Sequence, residues 1–193
     1  MENQLTKREQ IKAVAARMFR EKGYRATSMR DIATGVGMKA ASLYNHIEHK
    51  QEILAELLMH IARLFTKGME DVQNSSFAPL EKMERLIQLH IRLTVEHPDS
   101  ISIITSEWVH LEEDTLNVYK ELRDTYEQQF KSIIEACVAE GSFAQVDTEI
   151  AMFSILSTLR WLYAWYGKQR EINPLELEKQ MIHCLLDGLK SRG

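Results

Sequence analysis

The side chains best suited to a chemical role lie in the first quarter of the chain, on a short predicted helix with a small, polar outer face. Its outward positions hold Lys39, Ala41, Ser42, Asn45 and His46. Small residues let a helix approach another surface closely, and an Asn amide can make paired hydrogen bonds to an adenine edge, worth about 1–3 kcal/mol of discrimination. The pattern favours contact with DNA, with a solvated amide as the alternative for Asn45.

A helix-turn-helix would hold these side chains in place. Ser28 and Asp31 have the spacing of a capping box at the start of a first helix, and apolar residues follow at helical spacing. Gly37 supplies the permissive backbone of a sharp turn. Leu43 and Ile47 then lie one turn apart and would pack the second helix against the first. Such a motif lays its second helix in the major groove of DNA.

The segment also resembles, in fixed register, the TetR family of bacterial transcriptional repressors. The resemblance rests on Ser-Met-Arg-Asp-Ile-Ala at 28–33, Gly-Met at 37–38, Ser-Leu-Tyr-Asn-His-Ile at 42–47 and Lys-Gln-Glu-Ile-Leu at 50–54. It implies that Ser42, Tyr44 and His46 touch phosphates or base edges and that Lys50 faces a backbone phosphate. We also expect Ser28 to contact DNA. Packing within the head is the alternative for Tyr44.

Two positions depart from the usual pattern of the family. Lys39 stands where a Ser or Thr cap is common, which weakens the helix start by about 1 kcal/mol but places a cation beside the groove. Ala40 stands where a basic residue is frequent, which removes a phosphate contact. The base-by-base readout of the family therefore does not transfer directly to this chain.

Charge is distributed unevenly along the chain. The 193 residues include 24 Lys and Arg against 28 Asp and Glu. Residues 1–50 hold ten basic and five acidic side chains, and the remaining residues hold fourteen basic and twenty-three acidic ones. A basic end on an acidic body suits a protein that presents one end to DNA.

Hydrophobic periodicity predicts an all-α fold of about nine helices, with a three-helix N-terminal head and a helical C-terminal body. The first helix is expected from Leu5 to Lys22 and the fourth from Lys50 to about Val72. Later helices are expected over residues 80–96, 99–110, 116–140, 150–166 and from Pro174 onward. We place a DNA-binding domain at residues 1–50 and a ligand-binding and dimerisation domain at residues 51–193.

Composition favours a cytoplasmic protein with no membrane partner and no cofactor or metal. No apolar run reaches the length of a membrane span, and no secretory apolar block follows the N-terminal basic residues. Cys137 and Cys184 lack the spacing of a metal site and lie among apolar helical neighbours. This context predicts two buried free thiols.

The segment 154–166 is apolar around most of its circumference, so a helix there must be covered on more than one side. One side can face the body core. The resemblance implies a homodimer formed through the last two long helices, which would cover another side. Arg160 is a cation in this otherwise apolar segment. We expect it either to form an intersubunit ion pair or to bind an anionic ligand.

Trp161 and Trp165 also resemble an aromatic pattern in the branch of the TetR family that senses fatty acyl-CoA thioesters, although that branch often has Asn in place of Arg160. Core or interface packing is the alternative for both indoles. We expect a small apolar effector with an anionic or polar head, such as an acyl-CoA, oriented by Arg160 and His90. The expected pocket residues are Leu86, His90, Leu93, Trp108, Met152, Leu156, Arg160, Trp161 and Trp165.

The sequence thus predicts a ligand-responsive repressor that binds a palindromic operator as a dimer and is released by its effector. One alternative is a metal-dependent helical-bundle enzyme, because Glu107 and His110 form a Glu-x-x-His pair. Such bundles need a second pair and two further Glu, and no second copy or other catalytic motif occurs. A helical interaction module without DNA binding is a further alternative, which the basic balance of residues 1–50 disfavours.

Overall fold

The computed structural model describes residues 5–166 and 172–190, and within these ranges the chain forms nine α-helices. They are α1 (Lys7–Lys22), α2 (Met29–Val36), α3 (Ala40–Leu43), α4 (Lys50–Gln73), α5 (Pro79–Glu96), α6 (Pro98–Ser106), α7 (Glu113–Ala139), α8 (Thr148–Tyr166) and α9 (Pro174–Leu186). A 3₁₀ turn, Trp108–His110, follows α6, and a single isolated β-bridge joins Phe143 to Lys190. The all-α prediction is confirmed.

Capping residues set the helix boundaries much as the sequence predicts. Thr6 and Glu9 form a capping box at the start of α1, and Ser28 and Asp31 form one at the start of α2. Pro98 was expected only to stop the preceding helix, yet it is also the first residue of α6. Proline is well tolerated there because the first N–H of a helix has no intrahelical acceptor.

The chain divides into two compact units, and both are discontinuous in sequence. The first contains Met1–Ile61 and Asp99–Tyr119, and the second contains Ala62–Pro98 and Lys120–Gly193. Helices α4 and α7 therefore each contribute residues to both units. The division into domains at residue 50 stays a prediction.

In the first unit, α1, α2 and α3 enclose a small apolar core. Its fully buried side chains include Ile11, Phe19, Ile32 and Leu43. Gly35 of α2 allows a close approach to α1, because an added Cβ would lie 2.7 Å from Val14 Cγ1 and 2.6 Å from Met18 Cε. The two helices thus pack at a distance that any larger residue at this position would increase.

In the second unit, α5 packs against both α8 and α9. Cys137 of α7 is buried, as predicted, but the prediction that Cys184 is buried was wrong, since its side chain is exposed. Cys184 precedes the buried Leu186 by two residues, which places it on the opposite side of α9. Apolar neighbours in sequence did not reveal which side of this helix is covered.

Candidate DNA-binding surface and effector site

The predicted DNA-contact turn is built around Gly37 and two buried anchors. Gly37 adopts the left-handed conformation, with φ 73°, and ends α2. Leu43 and Ile47 are fully buried, as expected for residues that pack the second helix against the first. The second helix is shorter than predicted: α3 ends at Leu43, and a hydrogen-bonded turn carries the chain through Tyr44 to His46.

Most of the predicted DNA-contact side chains reach solvent at this turn. Ser42 is half-buried, and Ser28 is exposed but acts in the α2 cap, where its hydroxyl donates to Asp31 Oδ2 at 2.6 Å. No side chain caps α3, as the Lys at its N-cap position predicts. Besides Ser28, five members have exposed side chains: Lys39, Ala41, Tyr44, Asn45 and His46.

Lys50 occupies a different environment from the predicted one. Its Nζ donates to the backbone carbonyls of Tyr24 at 2.6 Å and Thr27 at 2.7 Å, and lies 4.1 Å from the centroid of the Tyr24 ring. Burial lowers the pKa of its ammonium group. In this structure Lys50 therefore holds the loop between α1 and α2 against α4, in place of the outward position expected for a phosphate contact.

Tyr24 connects this loop to the 3₁₀ turn after α6. Its hydroxyl donates to Gln51 Oε1 at 2.6 Å, and Gln51 Nε2 donates to the carbonyl of His110 at 2.9 Å. The Tyr24 ring stacks on the His110 ring with centroids 5.6 Å apart, while the Tyr24 N–H donates to Glu107 Oε2. The Glu-x-x-His pair thus has a structural role, and its two side chains lie 3.6 Å apart.

The described residues contain no cluster of three or more His, Cys, Asp or Glu side chains that could hold a metal ion. Nor does any helix in the described ranges have both the length and the hydrophobicity to cross a bilayer.

The predicted effector residues fall into three groups. Trp108 belongs to the first unit, where its ring lies 5.9 Å from that of Tyr119. Four residues of the second unit are buried, namely Leu86, His90, Leu93 and Leu156. Met152, also in the second unit, is half-buried. The remaining three lie on α8 with exposed side chains, which does not match an enclosed pocket: Arg160, Trp161 and Trp165.

His90 lies in a buried aromatic cluster. Its Nε2 shares a hydrogen bond of 2.9 Å with the hydroxyl of Tyr126, and its ring lies 4.6 Å from that of Phe65. Desolvation by burial, together with the positive charge of Arg160, lowers the pKa of His90 to about 3. The imidazole is therefore neutral at neutral pH.

This burial gives a testable dependence of stability on pH. The pKa of His90 falls from 6.5 to about 3 on folding, so between these pH values the unfolded protein binds a proton that the folded protein does not. The free energy of unfolding is therefore highest above pH 6.5 and decreases as the pH falls towards 3. Between pH 7 and pH 4.5 the parent should lose roughly 2–3 kcal/mol more unfolding free energy than His90→Gln, which cannot titrate. Urea titrations at several pH values measure the difference, and parallel profiles would contradict it.

Arg160 has an ion-pair partner within its own chain. Its Nη2 donates to Glu127 Oε1 on α7, so the intersubunit partner that was one expectation is not required. Its charge adds to the effect of burial in lowering the pKa of His90, and it opposes in part the rise that burial causes in the pKa of Tyr126. Arg160 therefore combines an exposed guanidinium with an electrostatic influence on the buried pair.

An apolar stripe runs along the exposed side of α8. It consists of Ile150, Phe153, Trp161 and Trp165, at intervals of three, eight and four residues, which place them on one side of the helix. Phe153 is 71% exposed and Trp161 is 63% exposed. Aromatic residues are usually covered by protein, so a surface of this kind marks an interaction site.

These features define a class of protein: a regulator with a helix-turn-helix at its N-terminus and an all-helical body. Residues 11–57 match the family model described as bacterial regulatory proteins of the tetR family, and residues 76–189 match the one described as tetracyclin repressor-like, C-terminal domain. The chain belongs to the TetR family and is a DNA-binding transcriptional regulator.

Individual relatives agree with this assignment. The transcriptional repressor KstR2 of Rhodococcus jostii is 30% identical over 189 residues, covering 96% of this chain and 92% of that protein. The structure of the ketosteroid regulator KstR2 of Mycobacterium tuberculosis has a TM-score of 0.91 at 24% identity, covering 97% and 96%. AibR in complex with isovaleryl coenzyme A and operator DNA has a TM-score of 0.79 at 24% identity, covering 93% and 97%.

Proposed function

We propose that this regulator is a cytoplasmic repressor that binds a palindromic operator as a homodimer and is released by an acyl-CoA thioester. The observation that carries the DNA-binding part is the exposed polar turn that follows Gly37. Tyr44 and Lys39 would contact phosphates there, while Asn45 would read a base edge. We propose no enzymatic activity, because Glu107 accepts a hydrogen bond from the Tyr24 backbone and the His110 ring stacks on the Tyr24 ring.

The apolar stripe of α8 supports the homodimer. Regulators of this family bind operator DNA as dimers, and a two-fold axis in the protein matches a palindrome in the DNA. Two copies of the stripe, with Leu175 of α9 also exposed, would bury aromatic area at a self-complementary interface. Trp161 and Trp165 would then lie at this interface, which was the alternative to their role in a pocket.

Arg160 is the group that we propose to bind the effector's anionic part. Within the described ranges every buried side-chain N or O atom already has a hydrogen-bond partner, so a polar ligand group must displace an existing interaction. The ion pair between Arg160, which is 47% exposed, and the half-buried Glu127 is worth about 1 kcal/mol or less, so a ligand anion can displace it. A phosphate or carboxylate could replace the Glu127 carboxylate, and the apolar part would extend towards His90.

The AibR structure supports a thioester as the effector class, because it is a complex with isovaleryl coenzyme A and operator DNA. An effector that lowers operator affinity tenfold must favour the released state by about 1.4 kcal/mol. A single charge-assisted contact of 1.5–3 kcal/mol is large enough to provide this preference.

The test is to titrate acyl-CoAs and the matching free acids into the protein–operator complex. Arg160→Met should raise the concentration needed for release by about 10- to 100-fold, the equivalent of one charge-assisted hydrogen bond. Glu127→Gln removes the competing carboxylate and should lower that concentration. Arg63→Met, which removes an exposed Arg from α4 in the second unit, is the matched control and should respond like the parent. Equal responses from all four proteins would reject the role of Arg160.

A further inference from the structure

Arg8 connects three parts of the first unit through one guanidinium group. From α1, its Nη1 donates to the carbonyl of His46 at 2.6 Å, at the end of the DNA-contact turn. Its Nη2 donates to carboxylate oxygens of both Glu52 and Glu56, in the first two turns of α4. Lys12 also lies 3.2 Å from Glu56 Oε2, so two cations and two carboxylates form a network with no net charge.

The network also holds the short loop between the DNA-contact turn and α4. The second oxygen of the Glu52 carboxylate accepts a hydrogen bond of 2.9 Å from the backbone N–H of Glu48. Arg8 thus fixes the loop at His46, and Glu52 fixes it at Glu48. Because a guanidinium is planar and has five donors, it can serve several acceptors at once, which an ammonium group cannot do with the same geometry.

Partial burial strengthens these contacts. The side chains of Arg8, Glu52 and Glu56 are 39%, 26% and 34% exposed, so water screens them less than it screens a fully exposed pair. Hydrogen bonds from Arg8 hold the pKa values of both carboxyl groups below their usual range. Both acids therefore stay ionised at neutral pH.

We propose that Arg8 is a positioning residue for operator recognition, which fixes the turn carrying Tyr44, Asn45 and His46 relative to α1 and α4. The inference rests on the proposed reading of DNA by this turn. A displacement of about 1 Å at the turn would misalign hydrogen bonds to base edges, whose strength falls steeply with distance and angle. Arg8 acts through the protein backbone, without touching DNA itself.

The carboxylate partners give a test in which positioning and simple electrostatics predict opposite signs. Replacing Glu52 or Glu56 by Gln makes the DNA-binding unit more positive, which by charge alone should strengthen DNA binding. If the network positions the turn, the same substitutions should weaken binding to the preferred operator. The sign of the change therefore separates the two explanations.

The dependence of binding on salt gives a second distinction. A plot of log K against log salt concentration has a negative slope, and each phosphate contact that is lost reduces the magnitude of this slope by about 0.9. A positioning residue leaves the number of phosphate contacts unchanged, so Arg8→Met should keep the parent slope. If Arg8 instead touched a phosphate, Arg8→Met would lower it.

The experiment measures fluorescence anisotropy of an operator duplex, obtained by selection with the parent full-length protein, at several salt concentrations. Arg8→Met, Arg8→Lys, Glu52→Gln and Glu56→Gln should each bind this operator at least about tenfold more weakly, the equivalent of one misplaced hydrogen bond. Arg17→Met removes an exposed Arg elsewhere on α1 and should change affinity less than threefold. Thermal unfolding confirms that each variant is folded.

Combining Arg8→Met with Glu56→Gln should cause no greater loss than Arg8→Met alone, because both changes break one network. The inference is overturned if the Gln variants bind as tightly as the parent, if Arg8→Met reduces the salt slope, or if the two losses add. A parent that selects no preferred duplex would instead reject the proposed function on which the inference rests.

Discussion

Replacing Phe153 by Glu should convert the regulator from a dimer to a monomer and abolish operator binding at concentrations that saturate the parent. Phe153 is the most exposed member of the apolar stripe of α8, with 71% of its surface accessible to solvent. In a two-fold interface the substitution occurs twice, so two carboxylates would be buried without partners. An uncompensated buried charge costs about 3–5 kcal/mol, which would weaken dimerisation at least 100-fold.

Sedimentation velocity at micromolar concentration measures the change directly. Val109→Glu is the matched control, because Val109 is also an exposed apolar residue but belongs to the first unit, whereas the stripe belongs to the second. The control should remain dimeric and bind DNA. A Phe153→Glu protein that stays dimeric would exclude the α8 stripe as the interface.

Replacing Ala41 by Asp should reduce affinity for every DNA sequence by at least about 100-fold while leaving the protein as stable as the parent. Ala41 is exposed in the first turn of α3, where the proposed surface approaches the phosphate backbone. A carboxylate there would be repelled by the phosphates. In the free protein the same carboxylate would interact favourably with the helix N-terminus, by about 0.3–1 kcal/mol.

Ala41→Asp should thus weaken DNA binding without destabilising the free protein, so unfolding cannot account for the loss of affinity. Ala78→Asp adds the same charge at the exposed start of α5, in the second unit, and should leave DNA binding close to that of the parent. Chemical unfolding and anisotropy on the same samples measure stability and affinity. If Ala41→Asp bound operator like the parent, the turn after Gly37 would not face DNA.

Local sequence signals were sufficient for most of the fold. The capping box at Ser28 predicted the start of α2, and Gly37 predicted the turn. Each of these signals acts within about four residues, where side-chain and backbone geometry determine one another. The burial of Leu43 and Ile47 followed from helical spacing for the same reason.

Contacts between distant residues were not predictable in this way. Lys50 binds carbonyls more than twenty residues away, whereas the family resemblance implied a contact with a backbone phosphate. Arg160 meets Glu127 only after α7 and α8 have packed. The Arg8 network spans 38 to 48 residues and left no periodic signal in the sequence. Such contacts depend on tertiary packing, which a single sequence does not display.

The close packing of two helices was also not predicted, because it depends on a glycine, which has no side chain. Gly68 of α4 faces Leu89 of α5, and an added Cβ would lie 2.4 Å from Leu89 Cδ2. In the sequence this Gly interrupts a helical pattern and suggests only a weaker helix. The structure shows that it permits contact between two helices of the second unit.

The central claim, that the turn after Gly37 reads a palindromic operator, is tested most directly by selecting duplexes from a random library with the parent and with Asn45→Ala. The parent should enrich an inverted repeat with half-sites about one helical turn apart. Asn45→Ala should enrich the same repeat with relaxed preference at one base pair in each half-site. Enrichment of no sequence by the parent, or identical preferences for both proteins, would contradict this account.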